Sequence, residues 1–359
     1  MKAIYLIKYG NSDTAFEIKG TPIPKAGKGE VVIKVACFGL NFADVVARRG
    51  LYPDAPKNPA ILGYDVAGIV HEIGAGVENL KVGQRVTAMT RFGGYAEYAK
   101  TYDTAVAVIP AAMDFATATT LGAQGCTAYH CAFETVMLHE GDRVLIHAAA
   151  GGVGALLVQM AKHKKCFVYG TASTSKMDYL KQIGVDVAID YMKEDFYEVI
   201  KSSSEQLDMS NEQNIRSSTL TAQSSKPIDV VFDSLGGQTF KKSFKLLNSD
   251  GRIVTFGAAE QINGNKTSKF SGLKLAWGFG IFSPIQLLMT SRAIIGVNML
   301  KIADNRPHII NRCLNGIIQL TDAGIITPKI AKIFTADKIA EAHDFLESRQ
   351  SIGKVVVRW

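Results

Sequence analysis

Residues His147–Gly154, reading HAAAGGVG, offer the most legible chemistry in this chain, a cradle for a pyrophosphate. Arg143–Ile146 just before them is a short apolar run that predicts a buried strand, and Ala155–Ala161 just after predicts a helix. A glycine turn between a strand and a helix lets an anion approach the backbone, where the N–H groups of the helix start face it. Gly151 leaves room for the phosphates, Gly154 lets the helix pack closely on the sheet, and Gly152 and Val153 complete the turn between them. Ala149 stands where G-x-G-x-x-G has its first glycine, so the fingerprint is incomplete and a tight turn without a ligand is the alternative.

The next strand, Phe167–Gly170, runs into Thr171-Ala172-Ser173-Thr174-Ser175-Lys176. An acid near this point would hold a ribose 2′-hydroxyl and select NADH. The segment has none. It offers hydroxyls and a cation, which suit a 2′-phosphate, with Ser173 donating a hydrogen bond and Lys176 supplying charge. The expected cofactor is therefore NADPH. In the competing reading Ser173 and Ser175 cap a helix over Lys176–Ile183 and Lys176 is merely exposed; both can hold together.

These groups need elements to position them, and the composition allows for two domains. The chain has 359 residues, 47% of them hydrophobic and 20% charged, enough for a sizeable core. A net charge of +7 would attract an anionic cofactor, while the lack of a dense Lys/Arg block or a nucleic-acid motif argues against nucleic acid as partner. Cys37, Cys126, Cys131, Cys166 and Cys313 are scattered and form no Cys-x-x-Cys pair, which predicts neither a disulfide framework nor a zinc knuckle. The amino-terminal run Met1–Ile7 is too short for a signal peptide, and no apolar run reaches membrane-spanning length. The expected location is the cytoplasm.

Residues 1–125 hold candidate strands at Val31–Val35, Ala67–Val70 and Gln84–Ala88 between Gly and Pro punctuation. From 126 to 300 strands and helices alternate, with further strands at Asp186–Asp190, Ile228–Asp233, Arg252–Phe256 and Arg292–Val297, which predicts a parallel, doubly wound sheet. Residues 301–359, with helices near Pro307–Leu320 and Ala336–Arg349 and strands at Ile330–Phe334 and Lys354–Arg358, suit the strand-rich first domain better. The polar stretch 202–226 reads as a surface insertion.

This order, with AAAGGVG and the Ser/Lys loop, resembles the medium-chain dehydrogenase/reductase superfamily along essentially the whole chain. Gly39-Leu40-Asn41-Phe42-Ala43-Asp44, then Arg48, Gly50 and Tyr52-Pro53, resembles its zinc-free quinone oxidoreductases. Asp233-Ser234-Leu235-Gly236-Gly237, Thr255-Phe256-Gly257, Ser283–Gly296 and the ending Val355–Val357 after Gly353-Lys354 look like the branch of the vesicle amine-transport protein homologue. The resemblance implies an α/β chain with a GroES-like strand-rich catalytic domain and a Rossmann domain. Where zinc-dependent relatives carry Gly-His-Glu, this chain has Gly63-Tyr64-Asp65, and Met89–Ala99 lacks the cysteines of a structural zinc lobe. Too few ligands remain for zinc, and Cys37 reads as a small buried apolar residue.

The resemblance further implies hydride transfer from NADPH to a quinone or an α,β-unsaturated carbonyl. Asn41 would lie near the nicotinamide ribose and substrate, and Tyr52 would line the pocket, donate a hydrogen bond or relay a proton. The alternatives are a turn role for Asn41 and simple packing for Tyr52; Asp44 reads as a cap or ion-pair partner. Thr127, Tyr191, Phe256, Gly257 and Lys354 are the remaining implied cofactor contacts, with an exposed lysine as the alternative for Lys354. A homodimer through the sheet edge at Ala293–Val297 is the implied assembly. The seven histidines form no ligand-spaced pair, His147 has a packing role, and no G-x-S-x-G elbow supports a hydrolase. The apolar stretch Phe270–Met289 would cover the cleft, join an interface or touch a membrane, which leaves a peripheral membrane contact and a non-catalytic NADPH-binding role open.

Overall fold

A computed structural model describes residues 1–203, 227–259 and 278–359. The strands in chain order are β1 (Lys2–Leu6), β2 (Phe16–Gly20), β3 (Glu30–Leu40), β4 (Ala60–Ile61), β5 (Asp65–Ile73), β6 (Arg85–Met89), β7 (Tyr98–Tyr102) and β8 (Val106–Val108). They continue with β9 (Arg143–Ile146), β10 (Phe167–Ala172), β11 (Val187–Asp190), β12 (Ile228–Asp233), β13 (Leu247–Thr255), β14 (Ala293–Gly296), β15 (Ile330–Thr335) and β16 (Lys354–Arg358). The chain divides into two compact units, one formed by Met1–His130, Gly151–Leu156 and Asn298–Trp359, the other by Cys131–Ala150 and Leu157–Val297.

The first unit is built on a sheet ordered β15-β16-β3-β5-β6-β8, with β7 also paired to β3, beside a small sheet ordered β2-β1-β4. Its central strands are apolar on both faces. Val355, Val356 and Val357 of β16 are fully buried, as a β-branched run covered on both sides should be. Ile4, Leu6, Phe38, Leu40, Leu62 and Tyr95 build the core around them. Register decides what meets at one end of this sheet. Val355 pairs with Leu40 and Phe38 with Val66, so Lys354, Asn41 and Asp65 converge just beyond the paired residues.

The second unit holds six parallel strands in the order β11-β10-β9-β12-β13-β14. The order reverses beside β9, which is the doubly wound arrangement of a dinucleotide-binding sheet. Helices Met177–Gln182 and Gly237–Leu246 follow β10 and β12 in the chain. Leu145, Tyr169, Val231, Phe240 and Ile253 fill its core. The Gly152–His163 helix is continuous after β9, with its first turn grouped in the first unit.

Most expected elements form within a few residues of their predicted bounds. An unforeseen feature is the π-helical winding of Leu121–Gly125 and His130–Thr135 around a short α-helical turn, Cys126–Tyr129. Gly122 leaves helical geometry there, at φ −57° and ψ −109°. Residues 204–226 of the polar stretch lie outside the described residues, as do 260–277 and with them Phe270–Trp277. In the described remainder of the apolar stretch, Phe279 and Phe282 pack on Phe240 and Phe244, whereas Ile281, Ile285, Leu288 and Met289 are exposed. Those four side chains do not fill a cleft of the chain.

Candidate cofactor and active site

In the first unit, Asn41 follows β3 and is the N-cap of the Phe42–Arg48 helix. Asp44 accepts from the Asn41 amide at 2.8 Å, the capping role expected of it, and from the Gly63 amide at 3.2 Å. The turn role weighed for Asn41 therefore falls on its backbone. Its side chain turns elsewhere: Nδ2 donates to Asp65 Oδ1 at 3.1 Å, and Oδ1 accepts from Lys354 Nζ at 2.8 Å. Lys354 also donates to Asp65 Oδ2 at 2.6 Å, and that oxygen accepts from the Ala123 amide at 3.1 Å.

The exposed alternative for Lys354 is overturned: the residue is 1% exposed and Asp65 is 0% exposed. A charge buried this deeply must be paired, and each is the other's partner. Two glycines make the space. A Cβ on Gly39 would run into the Lys354 stem and lie 2.6 Å from Asp65 Oδ1, and one on Gly122 would meet the Asp65 Cβ at 2.5 Å. Burial pushes the Asp44 carboxyl up to about 7, with the nearby Asp65 charge adding to the rise.

Tyr52 is half-buried, 6.2 Å centroid to centroid and edge-on to Tyr64, and burial raises its phenol above the usual range, so it keeps its proton at neutral pH. The Thr127 hydroxyl donates back to the Ala123 carbonyl at 2.6 Å. Gly151–Gly154 open the Gly152–His163 helix, and Gly151 forms an isolated parallel bridge with Gly353, the residue before Lys354. The glycine turn and the Asn41–Asp65–Lys354 cluster are thus tied together within one unit. A Cβ on Gly152 would overlap the Gln124 carboxamide, so this turn admits no side chain there. The leading amides of a helix have no intrahelical acceptors. Such a cradle of bare backbone donors fits a pyrophosphate.

In the second unit, Ser173 stands at the N-cap of a short 3₁₀ turn, Thr174–Lys176, but its side chain caps nothing. The capping alternative for Ser173 is corrected accordingly. Thr174 instead donates to Asp190 Oδ2 at 2.6 Å, which holds the Asp190 carboxyl below its usual range, with the Met192 amide and Lys193 helping. Asp190 is the acid beside this loop, and its oxygens are already engaged. Tyr191, next in sequence, is 47% exposed. The Phe256 amide donates to the Asp233 carbonyl at 3.0 Å. A Cβ on Gly257 would come within 2.7 Å of the Ser234 carbonyl oxygen, so the β13 end passes that loop closely.

His147 bears out its packing role: 1% exposed, it contacts Thr171 Oγ1 at 3.2 Å and Ser243 Oγ at 2.8 Å, and burial lowers its pKa to about 3. Cys37 is 3% exposed against Ala116 and Val356, the apolar setting expected, and burial raises its thiol pKa. All five cysteines are buried. Among the described residues no group of three or more His, Cys, Asp or Glu side chains is placed to hold a metal, and no helix is long and apolar enough to cross a membrane.

The sequence reading passed over Asp65 except as a missing zinc position, and over Gln124 and Asp190. A signal for Asp65 and Lys354 was present. Each is a charge that opens a strand and is followed directly by apolar residues, Val66-Ala67 and Val355–Val357, and such charges are rarely buried unpaired.

The fold and the glycine turn define a GroES-like domain joined to a Rossmann-like parallel sheet. The model of the alcohol dehydrogenase GroES-like domain matches residues 27–140, and the one described as zinc-binding dehydrogenase matches 183–357. The synaptic vesicle membrane protein VAT-1 homolog of Rattus norvegicus is 32% identical over 360 residues, covering 99% of this chain and 84% of that protein. Among solved structures, human synaptic vesicle membrane protein VAT-1 homolog-like protein superposes with a TM-score of 0.81 at 26% identity, covering 100% of this chain and 98% of that one. Escherichia coli quinone oxidoreductase complexed with NADPH gives 0.81 at 25% identity, with both chains fully covered. The chain belongs to the medium-chain dehydrogenase/reductase superfamily, a superfamily of oxidoreductases.

Proposed function

We propose that this chain is a zinc-independent, NADPH-dependent reductase that passes hydride to a quinone or an α,β-unsaturated carbonyl. The observation that carries the reading is the buried Asn41–Asp65–Lys354 cluster. It sets a neutral amide donor beside Asp65, which stands where zinc-dependent relatives carry the Glu of Gly-His-Glu, and it commits the Asp65 carboxylate to Lys354, Asn41 and a backbone amide. NADPH, when bound, supplies the hydride and the protein supplies position and electrostatics. The amides of Gly151, Gly152, Val153 and Gly154 bind the pyrophosphate. Ser173, Lys176 and Tyr191 hold the 2′-phosphate, while Asp190 stays engaged with Thr174. Thr127, Phe256 and Gly257 are the remaining cofactor contacts. Asn41 donates to the substrate oxygen as it gains charge, a role in which a preoriented donor lowers the barrier. Tyr52, protonated at neutral pH, donates a hydrogen bond or a proton to the product. The resemblance to E. coli quinone oxidoreductase, solved with NADPH, supports the cofactor.

The test is NADPH and NADH titration of chelator-treated protein, then oxidation of NADPH with a panel of quinones and enones. Tight NADPH binding with turnover supports the reading. Loss of turnover on chelation, restored by zinc, refutes its zinc-independent part.

A second reading is a non-catalytic NADPH-binding protein with a membrane or protein partner. It is favoured by the exposed Ile281, Ile285, Leu288 and Met289 and by relatives named as vesicle membrane proteins. Absence of liposome flotation, with and without anionic lipid, removes its membrane form. A soluble cytoplasmic location and a homodimer through the β14 edge belong to the reductase proposal, and cell fractionation and sedimentation check them.

A further inference from the structure

We propose that Lys354 and Asp65 are positioning residues that fix the Asn41 side-chain amide in one orientation and leave it a single uncommitted N–H. An asparagine amide offers one acceptor oxygen and two N–H donors, and only its partners decide which way it faces. Lys354 can only donate, so it selects Oδ1, at 2.8 Å. An ionised Asp65 can only accept, so it selects Nδ2, at 3.1 Å. The two partners hold each other at 2.6 Å, and each is almost wholly excluded from water. Turning the amide over would set nitrogen against ammonium and oxygen against carboxylate, two repulsive contacts at once. One of the two Nδ2 hydrogens is taken by Asp65. The other has no acceptor among the described residues, and Asn41 itself is 9% exposed.

The surroundings are shaped for this arrangement. Gly39 and Gly122 are without side chains where a Cβ would strike Lys354 or Asp65. The Ala123 amide anchors Asp65 Oδ2 from the π-helical stretch at 3.1 Å. The Gly151–Gly353 bridge holds the residue preceding Lys354 to the glycine turn. Lys354 therefore acts through Asn41, and its ammonium is directed inward to that amide and Asp65.

The inference rests on the reductase reading for its catalytic consequence but not for the amide orientation, and the test separates the two. Asn41 is observed by NMR in protein carrying isotope-labelled asparagine, without cofactor, and identified by its loss in Asn41→Asp. In the wild type the Nδ2 hydrogen held by Asp65 exchanges with solvent slowly and resonates apart from its partner. In the double variant Asp65→Asn/Lys354→Met, which removes both charges together, that protection is lost. In the same variant kcat for NADPH oxidation falls roughly 100-fold, as expected for a misplaced donor, while the KM for NADPH stays within about threefold. Should the double variant not fold, Asp65→Asn alone, which keeps the side-chain shape, is read the same way. Fast exchange of both Asn41 hydrogens in the wild type overturns the orientation, and an unchanged kcat in a folded variant overturns the positioning role. A protected Asn41 amide in a wild type that turns over no acceptor refutes the reductase reading and leaves the amide orientation standing.

Discussion

The two units handle polar groups in opposite ways. In the first, Asp65, Lys354, Asp44 and Arg48 sit at 0–1% exposure: Asp65 and Lys354 hold each other across 289 residues of sequence, Arg48 pairs with Glu347, and Asp44 accepts from the Asn41 and Gly63 amides. In the second, the Ser173–Lys176 loop and Tyr191 stand in contact with water, and the loop is shaped by its own short turn and by one bond from Thr174 to Asp190. Buried charges are expensive to hold and costly to orphan, so the first site is rigid and intolerant. Solvated groups lose little when altered, so the second can tune affinity without endangering the fold.

Substitution at Lys354 is the harshest way to break this contrast. Lys354→Met leaves Asp65 buried without its counterion and should cost about 3–5 kcal/mol of stability, read by denaturant unfolding. A cost under about 1 kcal/mol would show that water reaches Asp65 and that the two sites are not so different.

Acid should separate the units next. In the second unit, His147 has its folded pKa lowered from 6.5 to about 3, so its contribution is complete above 6.5 and lost as pH falls toward 3. Between pH 6.5 and 4 that loss is about 3 kcal/mol. In the first unit two groups oppose. His343 shifts in the same direction as His147, whereas Asp44, raised from 3.8 to about 7, contributes fully below 3.8 and loses its contribution as pH rises through 7. Hydrogen exchange followed from pH 6.5 to 4 should therefore show β9 and β10 losing protection before β3 and β5. The reverse order would mean that His147 takes up a proton within the fold and is not held neutral by its burial.

Lys176→Ala should leave stability within about 0.5 kcal/mol and weaken NADPH binding roughly 10-fold, with NADH binding unchanged. Equal loss for both cofactors would place Lys176 away from the 2′-phosphate. The smallest effect is expected for Thr174→Val, which removes the bond that occupies Asp190. The carboxylate, then held only by the Met192 amide and Lys193, should shift the NADPH-to-NADH affinity ratio roughly threefold toward NADH in paired titrations.

The second unit was largely legible before any coordinates. Alternating apolar strands and helices fix a parallel sheet by local pattern alone, and β9 and β12 begin and end where their sequences predict. The glycine turn and the hydroxyl-rich loop were legible for the same reason, since their chemistry lies within a few consecutive residues. The Asn41–Asp65–Lys354 cluster was not, because it is assembled by the register of three strands whose members are up to 313 residues apart. The π-helical stretch escaped as well. It depends on Gly122 passing close to Asp65, a tertiary contact that no periodicity announces.

The burial of all five cysteines has a chemical consequence for the proposed chemistry with quinones and enones. Quinones and enones are electrophiles that arylate or alkylate thiolates. Burial raises the thiols of Cys37, Cys126 and Cys166, the last to about 12, which keeps these sulfurs protonated as well as covered. The folded molecule offers such electrophiles no exposed sulfur to modify, and it becomes vulnerable to them only when it opens.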